Sequence, residues 1–233
     1  AVIGAGFIGL EMAENLAERG VHVTVVEGAS HVMPPIDMDM AHQVHNYIRA
    51  QGIDLYLGQT CTAMDKDGVI LKDGRKIPAD MVILSIGVRP DTGFLKDSGI
   101  ELGARGEILV NSYMETSAPD VYALGDAASV RHIVSEKQVL IPLASPANKQ
   151  GRIVGDNLCG RKTAYRGSQG TSIMKFFGLT VAVTGEKEEN LQAQGRAFCK
   201  VITTSASQAG YYPGGEMMTV KTLFEPKSEA KRS

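Results

Sequence analysis

The sequence predicts an α/β fold on three observations. A glycine-rich turn, Gly4-Ala5-Gly6-Phe7-Ile8-Gly9, lies between the apolar residues 1–3 and a segment of helical periodicity. The run Val21, Val23, Val25 and Val26 then has the β-branched composition of a buried parallel strand. Two turn signals, Lys66-Asp67-Gly68 and Lys72-Asp73-Gly74, mark a β-meander further on. The succession is βαβ, βα, meander and β, which describes a Rossmann-like domain carrying a meander.

In the first helix Ile8, Met12 and Leu16 recur at i, i+4 and i+8 with Ala13 and Ala17 beside them, and these residues are read as the buried face. Glu14, Asn15, Glu18 and Arg19 form its solvated side, and Gly20 suits the position just past its end. After Pro34-Pro35, residues 39–50 read as a helix closed by Gly52 and residues 53–57 as a strand. Residues 81–86 are apolar and lead into Gly87. The first domain spans residues 1–90, a second layer runs over 91–165, and a more mixed third segment over 166–233. Residues 225–233 read as a solvated tail. Only three residues precede the first glycine, against a usual strand length of ~5–6, so the chain is expected to be a fragment that begins inside a strand.

With 24 Lys+Arg against 26 Asp+Glu, the net charge of −2 excludes a strongly basic nucleic-acid binder. Hydrophobic residues at 43%, charged residues at 21% and a mean hydropathy of −0.05 describe a globular composition. Nothing approaches the ~20 apolar residues of a membrane span, and no signal peptide opens the chain, so a cytoplasmic protein without membrane partners is expected. Cys61, Cys159 and Cys199 are odd in number and scattered, without metal or redox spacing. No metal site is expected. The 26 glycines exceed the usual ~7% share, which points to tight turns or backbone held close to a ligand.

The Gly4–Gly9 motif places three glycines where they allow a tight turn, close approach to a pyrophosphate and close helix–strand packing. A glycine turn without a ligand is the alternative. Glu27, 18 residues after Gly9 at the end of the second strand, can accept both hydroxyls of an adenosine ribose. Its charge disfavours a 2′-phosphate, and Gly28, Ala29, Ser30 and His31 include no arginine, so NADH is favoured over NADPH; His31 alone could contribute to holding the phosphate. A second motif, residues 116–126, reads as a turn, a short strand and then Gly125-Asp126 at the strand's end. Asp126 there either faces a ligand at the sheet edge or caps a helix.

Residues 116–126 resemble the second flavin-contacting motif of the FAD-dependent pyridine nucleotide-disulfide oxidoreductases, and residues 4–11 resemble that family's internal NAD domain. The resemblance covers nearly all of the chain. It implies that Asp126, with Gly125, contacts the FAD ribityl chain, and that Gly4, Gly6, Phe7, Ile8, Gly9 and Glu27 hold NAD. Gly87, in Ile86-Gly87-Val88-Arg89-Pro90, would let the nicotinamide pass, and Glu11 would stand near it, although a solvated helix glutamate is the plain alternative. Residues 141–152, with Leu143, Ala144 and Asn148, are similar to the helix start that faces the flavin pyrimidine, where backbone amides and the helix dipole favour an anionic reduced flavin.

The third segment resembles the family's dimerisation domain, here stopping early after Leu223-Phe224, which implies a homodimeric parent with residues 91–165 the rest of an FAD domain. Within the family, Ala209-Gly210-Tyr211-Tyr212-Pro213-Gly214 points to the coenzyme A-disulfide reductase and NADH-dependent polysulfide reductase branch. There Tyr211 and Tyr212 would be catalytic, facing the substrate sulfur of the partner subunit; two strand tyrosines before a proline turn are the alternative. Gln208 stands where the branch often has a histidine. The implied activity is reduction of a small disulfide or polysulfide, with a hydride passing from NAD(P)H to FAD and electrons then passing through a cysteine. That cysteine and the N-terminal FAD-binding domain are expected upstream of Ala1. Alternatives are an NADH oxidase or peroxidase of the same family or, for the chain by itself, a non-catalytic NAD-binding module.

Overall fold

The computed structural model describes residues 1–226. Its first unit is a parallel sheet in the order β3-β2-β1-β7, made of β1 (Val2–Ile3), β2 (Thr24–Glu27), β3 (Asp54–Leu57) and β7 (Ile83–Leu84). Helices α1 (Phe7–Ala17) and α2 (Met38–Ala50) provide the crossovers, and the meander β4 (Cys61–Asp65), β5 (Gly68–Leu71), β6 (Lys76–Pro78) precedes β7. The strand register pairs Val2 with Val25 and Ile3 with Val26. Since strand side chains alternate, these pairs face opposite ways. Val2 and Val25 pack with Leu10, Ala13, Val44 and Ile48 from the helices, while Ile3 and Val26 pack on Val69, Leu71 and Ile77 from the meander. Both faces of β1 and β2 are therefore covered, as central strands of a parallel sheet require.

A second unit has β8 (Ile108–Leu109), β9 (Ala128–Arg131), β10 (Gln138–Leu140) and α3 (Ala144–Leu158), around Val110, Met114, Val130, Ile141 and Val154. The hairpin β11 (Ser172–Phe176) and β12 (Leu179–Val183) follows, then the short α4 (Glu188–Ala193). A long ribbon of β13 (Cys199–Ala206) and β14 (Met217–Phe224) ends the described chain. Met174 and Phe176 of β11 are buried in the core of the first unit, where the Tyr47 ring meets Phe176 edge-on at 6.3 Å between centroids. Glu14 accepts the Phe177 amide at 2.7 Å, and the Tyr47 hydroxyl accepts the Gly178 amide at 2.9 Å.

Three expectations need correction. In α1, Ile8 and Met12 are exposed at 56% and 37%, and the buried side is Gly9, Leu10 and Ala13. The reason is Gly9: it lies so close to the strand turn that a Cβ there would strike the Gly4 carbonyl, which turns that side inward. The β-branched run pairs only from Thr24, leaving Val21 exposed. Residues 116–124 form no named strand; a single bridge joins Glu115 to Tyr122, and Gly125–Ala127 is a 3-10 turn leading into β9. Residues 227–233 of the expected solvated tail lie outside the described residues. Among the described residues, no helix is long and apolar enough to cross a membrane.

Candidate functional site

The ends of β1, β2 and β7 converge at the carboxyl edge of the sheet, where an open α/β sheet meets its ligands. The Gly4 amide donates to Val26 at 2.8 Å and the Ser85 amide to Ile3 at 2.7 Å, so the glycine turn, Glu27 and the approach to Gly87 are brought together. Gly4 has φ +103, and a Cβ there would collide with the Ser85 carbonyl oxygen, so only glycine fits. At Gly6 a Cβ would meet nothing within 4 Å: the space above the turn is open. No side chain caps the α1 N-terminus at Gly6, and no acidic residue occupies its first turn. Free amides and the positive end of the helix dipole therefore face open space, an arrangement suited to a pyrophosphate.

Glu27 lies in this site with both oxygens engaged: Oε2 accepts the Ala5 amide at 2.6 Å and Oε1 the Ala29 amide at 2.8 Å. These bonds aim the carboxylate and leave a further lone pair on each oxygen. Phe7 and Ile8 open α1, and Glu11 is exposed one turn later. Gly87 is exposed with φ +99, between Ile86 and Val88, which are 74% and 68% exposed. His31 is not available to a 2′-phosphate. It is 5% exposed, bonds Val32 through Nδ1 at 2.8 Å and turns Nε2 toward Glu189 at 3.8 Å.

A second cluster forms where the Gly125 turn meets α3. Gly125, with φ +80, donates its amide to Gln150 Oε1 at 2.7 Å, and Gln150 is 1% exposed. Sequence reasoning passed over Gln150, because its partner lies 25 residues away. Asp126 is exposed beside it and caps no helix; the residue before the 3-10 turn is Leu124. Leu143 occupies the N-cap of α3, Ala144 its first position, and the exposed Asn148 donates to the Ala144 carbonyl at 3.2 Å. This N-terminus also lacks a side-chain cap and an acidic first turn, which leaves it attractive to negative charge.

Tyr211 and Tyr212 join neither cluster. They sit in the loop between β13 and β14 rather than in a strand, 82% and 59% exposed, with ring centroids 4.7 Å apart. Gln208 braces that loop by donating to the Pro213 carbonyl at 2.8 Å. Among the described residues there is no group of three or more potential metal ligands and no disulfide; Cys61 is half-buried, and Cys159 and Cys199 are exposed.

Residues 1–151 match the sequence profile described as pyridine nucleotide-disulphide oxidoreductase. The crystal structure of reduced Bacillus anthracis CoADR-RHD is similar, with a TM-score of 0.93 and 44% identity, over 96% of this chain and 41% of that one. The NAD(P)H sulfur oxidoreductase (CoA-dependent) of Pyrococcus furiosus is 34% identical over 228 residues, 96% of this chain and 51% of that protein. The NADH oxidase of Enterococcus faecalis is also 34% identical, over 230 residues and the same two shares. The chain thus spans about half the length of these curated relatives.

Proposed function

As the chain belongs to the pyridine nucleotide-disulphide oxidoreductase family, we propose that it serves the FAD-dependent reduction of a coenzyme A-type disulfide or polysulfide by NAD(P)H. Residues 1–90 hold the nicotinamide nucleotide, 91–165 contribute to the FAD site, and 166–233 form a dimerisation segment of a cytoplasmic homodimer. NAD(P)H and FAD, held by these residues, would supply the hydride and the two-electron redox chemistry that disulfide reduction needs. The chain's own residues bind and orient these groups. Gly4, Gly6 and Gly9 keep the α1 amides clear for a pyrophosphate, with Phe7 and Ile8 donating from the first turn. Glu27 takes the ribose hydroxyls, while Glu11 and Gly87 border the nicotinamide. Gly125 and Asp126 hold the ribityl chain, and the α3 start at Leu143, Ala144 and Asn148 faces the flavin ring. Gln150 supports both by bonding the Gly125 amide.

The observation that carries the disulfide reading is the Tyr211–Tyr212 pair, two phenols held together and exposed at the end of a ribbon. A phenol there can hydrogen-bond or protonate a leaving thiolate. An NADH oxidase reading has support in the equal 34% identity to the Enterococcus faecalis enzyme, and that reading gives the two phenols no task. General acid–base groups contribute ~10²–10⁴-fold. Tyr211→Phe or Tyr212→Phe in the full-length protein is therefore expected to lower turnover of coenzyme A disulfide at least about tenfold, with flavin reduction by NADH nearly unchanged. Wild-type disulfide turnover in both variants would remove the tyrosines from the mechanism and favour the oxidase.

A further inference from the structure

An isolated two-stranded ribbon is at best marginally stable in water, and β13 is exposed along its whole length. The direction of the ribbon must therefore be set from outside it. Lys221, opposite Ile202 in β14, has a side chain only 5% exposed. Its ammonium reaches Asp37 Oδ2 at 2.9 Å, Asp39 Oδ2 at 2.8 Å and Glu188 Oε2 at 2.7 Å. Asp37 is the N-cap of α2, Asp39 lies in its first turn, and Glu188 opens α4. Lys200 of β13 adds a contact to Glu188 Oε1 at 3.0 Å, and Asp37 Oδ2 accepts the Glu188 amide at 3.2 Å. Among the described residues, these contacts of Lys221 and Lys200 are the only ion pairs or hydrogen bonds from either strand to the rest of the chain.

We propose that Lys221 is a positioning residue: the three carboxylates that it joins fix where the β13–β14 ribbon, and with it Tyr211 and Tyr212, stands against the nucleotide-binding unit. The inference rests on the reading that these tyrosines face substrate. Exposed ion pairs seldom fix a geometry. A buried ammonium shared by three carboxylates has few alternatives, and its removal leaves negative charges facing one another. Burial opposes the charge on Lys221, but the hydrogen bonds it donates to Asp39, Glu188 and Asp37 outweigh it and hold the ammonium above the ordinary lysine range. Hydrogen bonds from Lys221 and Lys200 hold the Glu188 carboxyl below its ordinary value. Lys221 and Glu188 are therefore both ionised throughout the neutral range.

Lever arm decides the consequence. Lys221 lies four residues from Met217, where the strand ends, a distance of ~14 Å at ~3.4 Å per residue. A tilt of about 10° at the node then moves the loop by roughly 2 Å, and a displacement of ~1 Å can cost ~10²-fold in rate.

The test uses the full-length flavoprotein, coenzyme A disulfide as substrate, and stopped-flow flavin reduction by NADH as the second readout. Lys221→Met is expected to lower disulfide kcat at least about tenfold and to leave flavin reduction within about twofold of wild type. Combining it with Tyr212→Phe shows whether Lys221 acts through the loop: the double variant should be no slower than the slower single variant. Losses that multiply, equal losses in both readouts, or wild-type turnover would each overturn the inference. If Lys221→Met does not fold, Glu188→Gln, which removes one charge at constant shape, enters the same cycle with the same expectations. Failure of the tyrosine reading is separable. Both tyrosine variants would then match wild type while Lys221→Met still lost disulfide turnover selectively, and the positioning of the ribbon would stand.

Discussion

Glu27 is aimed before any nucleotide arrives, because its two oxygens are held by the amides of Ala5 and Ala29. Bringing a 2′-phosphate against a fixed carboxylate costs several kcal/mol, so NADH should bind at least about tenfold more tightly than NADPH. Glu27→Arg should reverse that order, at a stability cost of about 1–3 kcal/mol for the buried Ala5 amide left without an acceptor. Fluorescence titration with both nucleotides checks this, and equal affinities in the parent chain would refute it. The place of Glu27 beside the glycine turn was legible from its spacing after Gly9 at the end of a β-branched run. Gln150 was not legible, since nothing local to a helix glutamine reveals that its oxygen receives an amide from a turn 25 residues earlier.

Helix α2 carries His45, 2% exposed, whose Nε2 accepts the Val32 amide at 3.2 Å and so must be unprotonated. Burial first, and then the charges of His42, Arg49 and His31, lower its pKa from 6.5 to about 4. The unfolded chain thus binds a proton between these values that the folded chain refuses. The contribution of His45 is complete above pH 6.5 and is lost as pH falls toward 4, on the order of 2–3 kcal/mol. Urea midpoints should therefore drop between pH 7 and pH 4.5, and His45→Gln, which keeps an acceptor, should flatten that slope. An unchanged slope in the variant would mean that other groups govern acid sensitivity. The existence of α1 and α2 was readable from periodicity and breakers. The facing of α1 was not, because Ile8 and Met12 fit a buried stripe as well as Leu10 and Ala13 do, and close packing at Gly9 chose between them.

Across the whole molecule, the most consequential contact joins distant stretches of sequence: Met174 and Phe176, at 2% and 0% exposure, complete the core under α1 and α2. Phe176→Ala should cost about 3–5 kcal/mol and should weaken the nucleotide-binding unit itself. Far-UV melting and loss of NADH binding on heating should shift down together. A shift confined to part of the far-UV signal, with NADH binding retained to the wild-type temperature, would show that residues 166–226 unfold by themselves. The sequence by itself determined the α/β class, the glycine turn with its acidic partner, the meander and the family motifs. Each depends on local backbone demands, on a period of 2 or 3.6, or on fixed spacings within one βαβ unit. Only the tertiary structure decided that His31 is buried, that Gln150 supports Gly125, that β11 enters the first core and that Lys221 meets three carboxylates. Those contacts join residues far apart along the chain, where neither propensity nor periodicity carries information, and packing alone selects the partners.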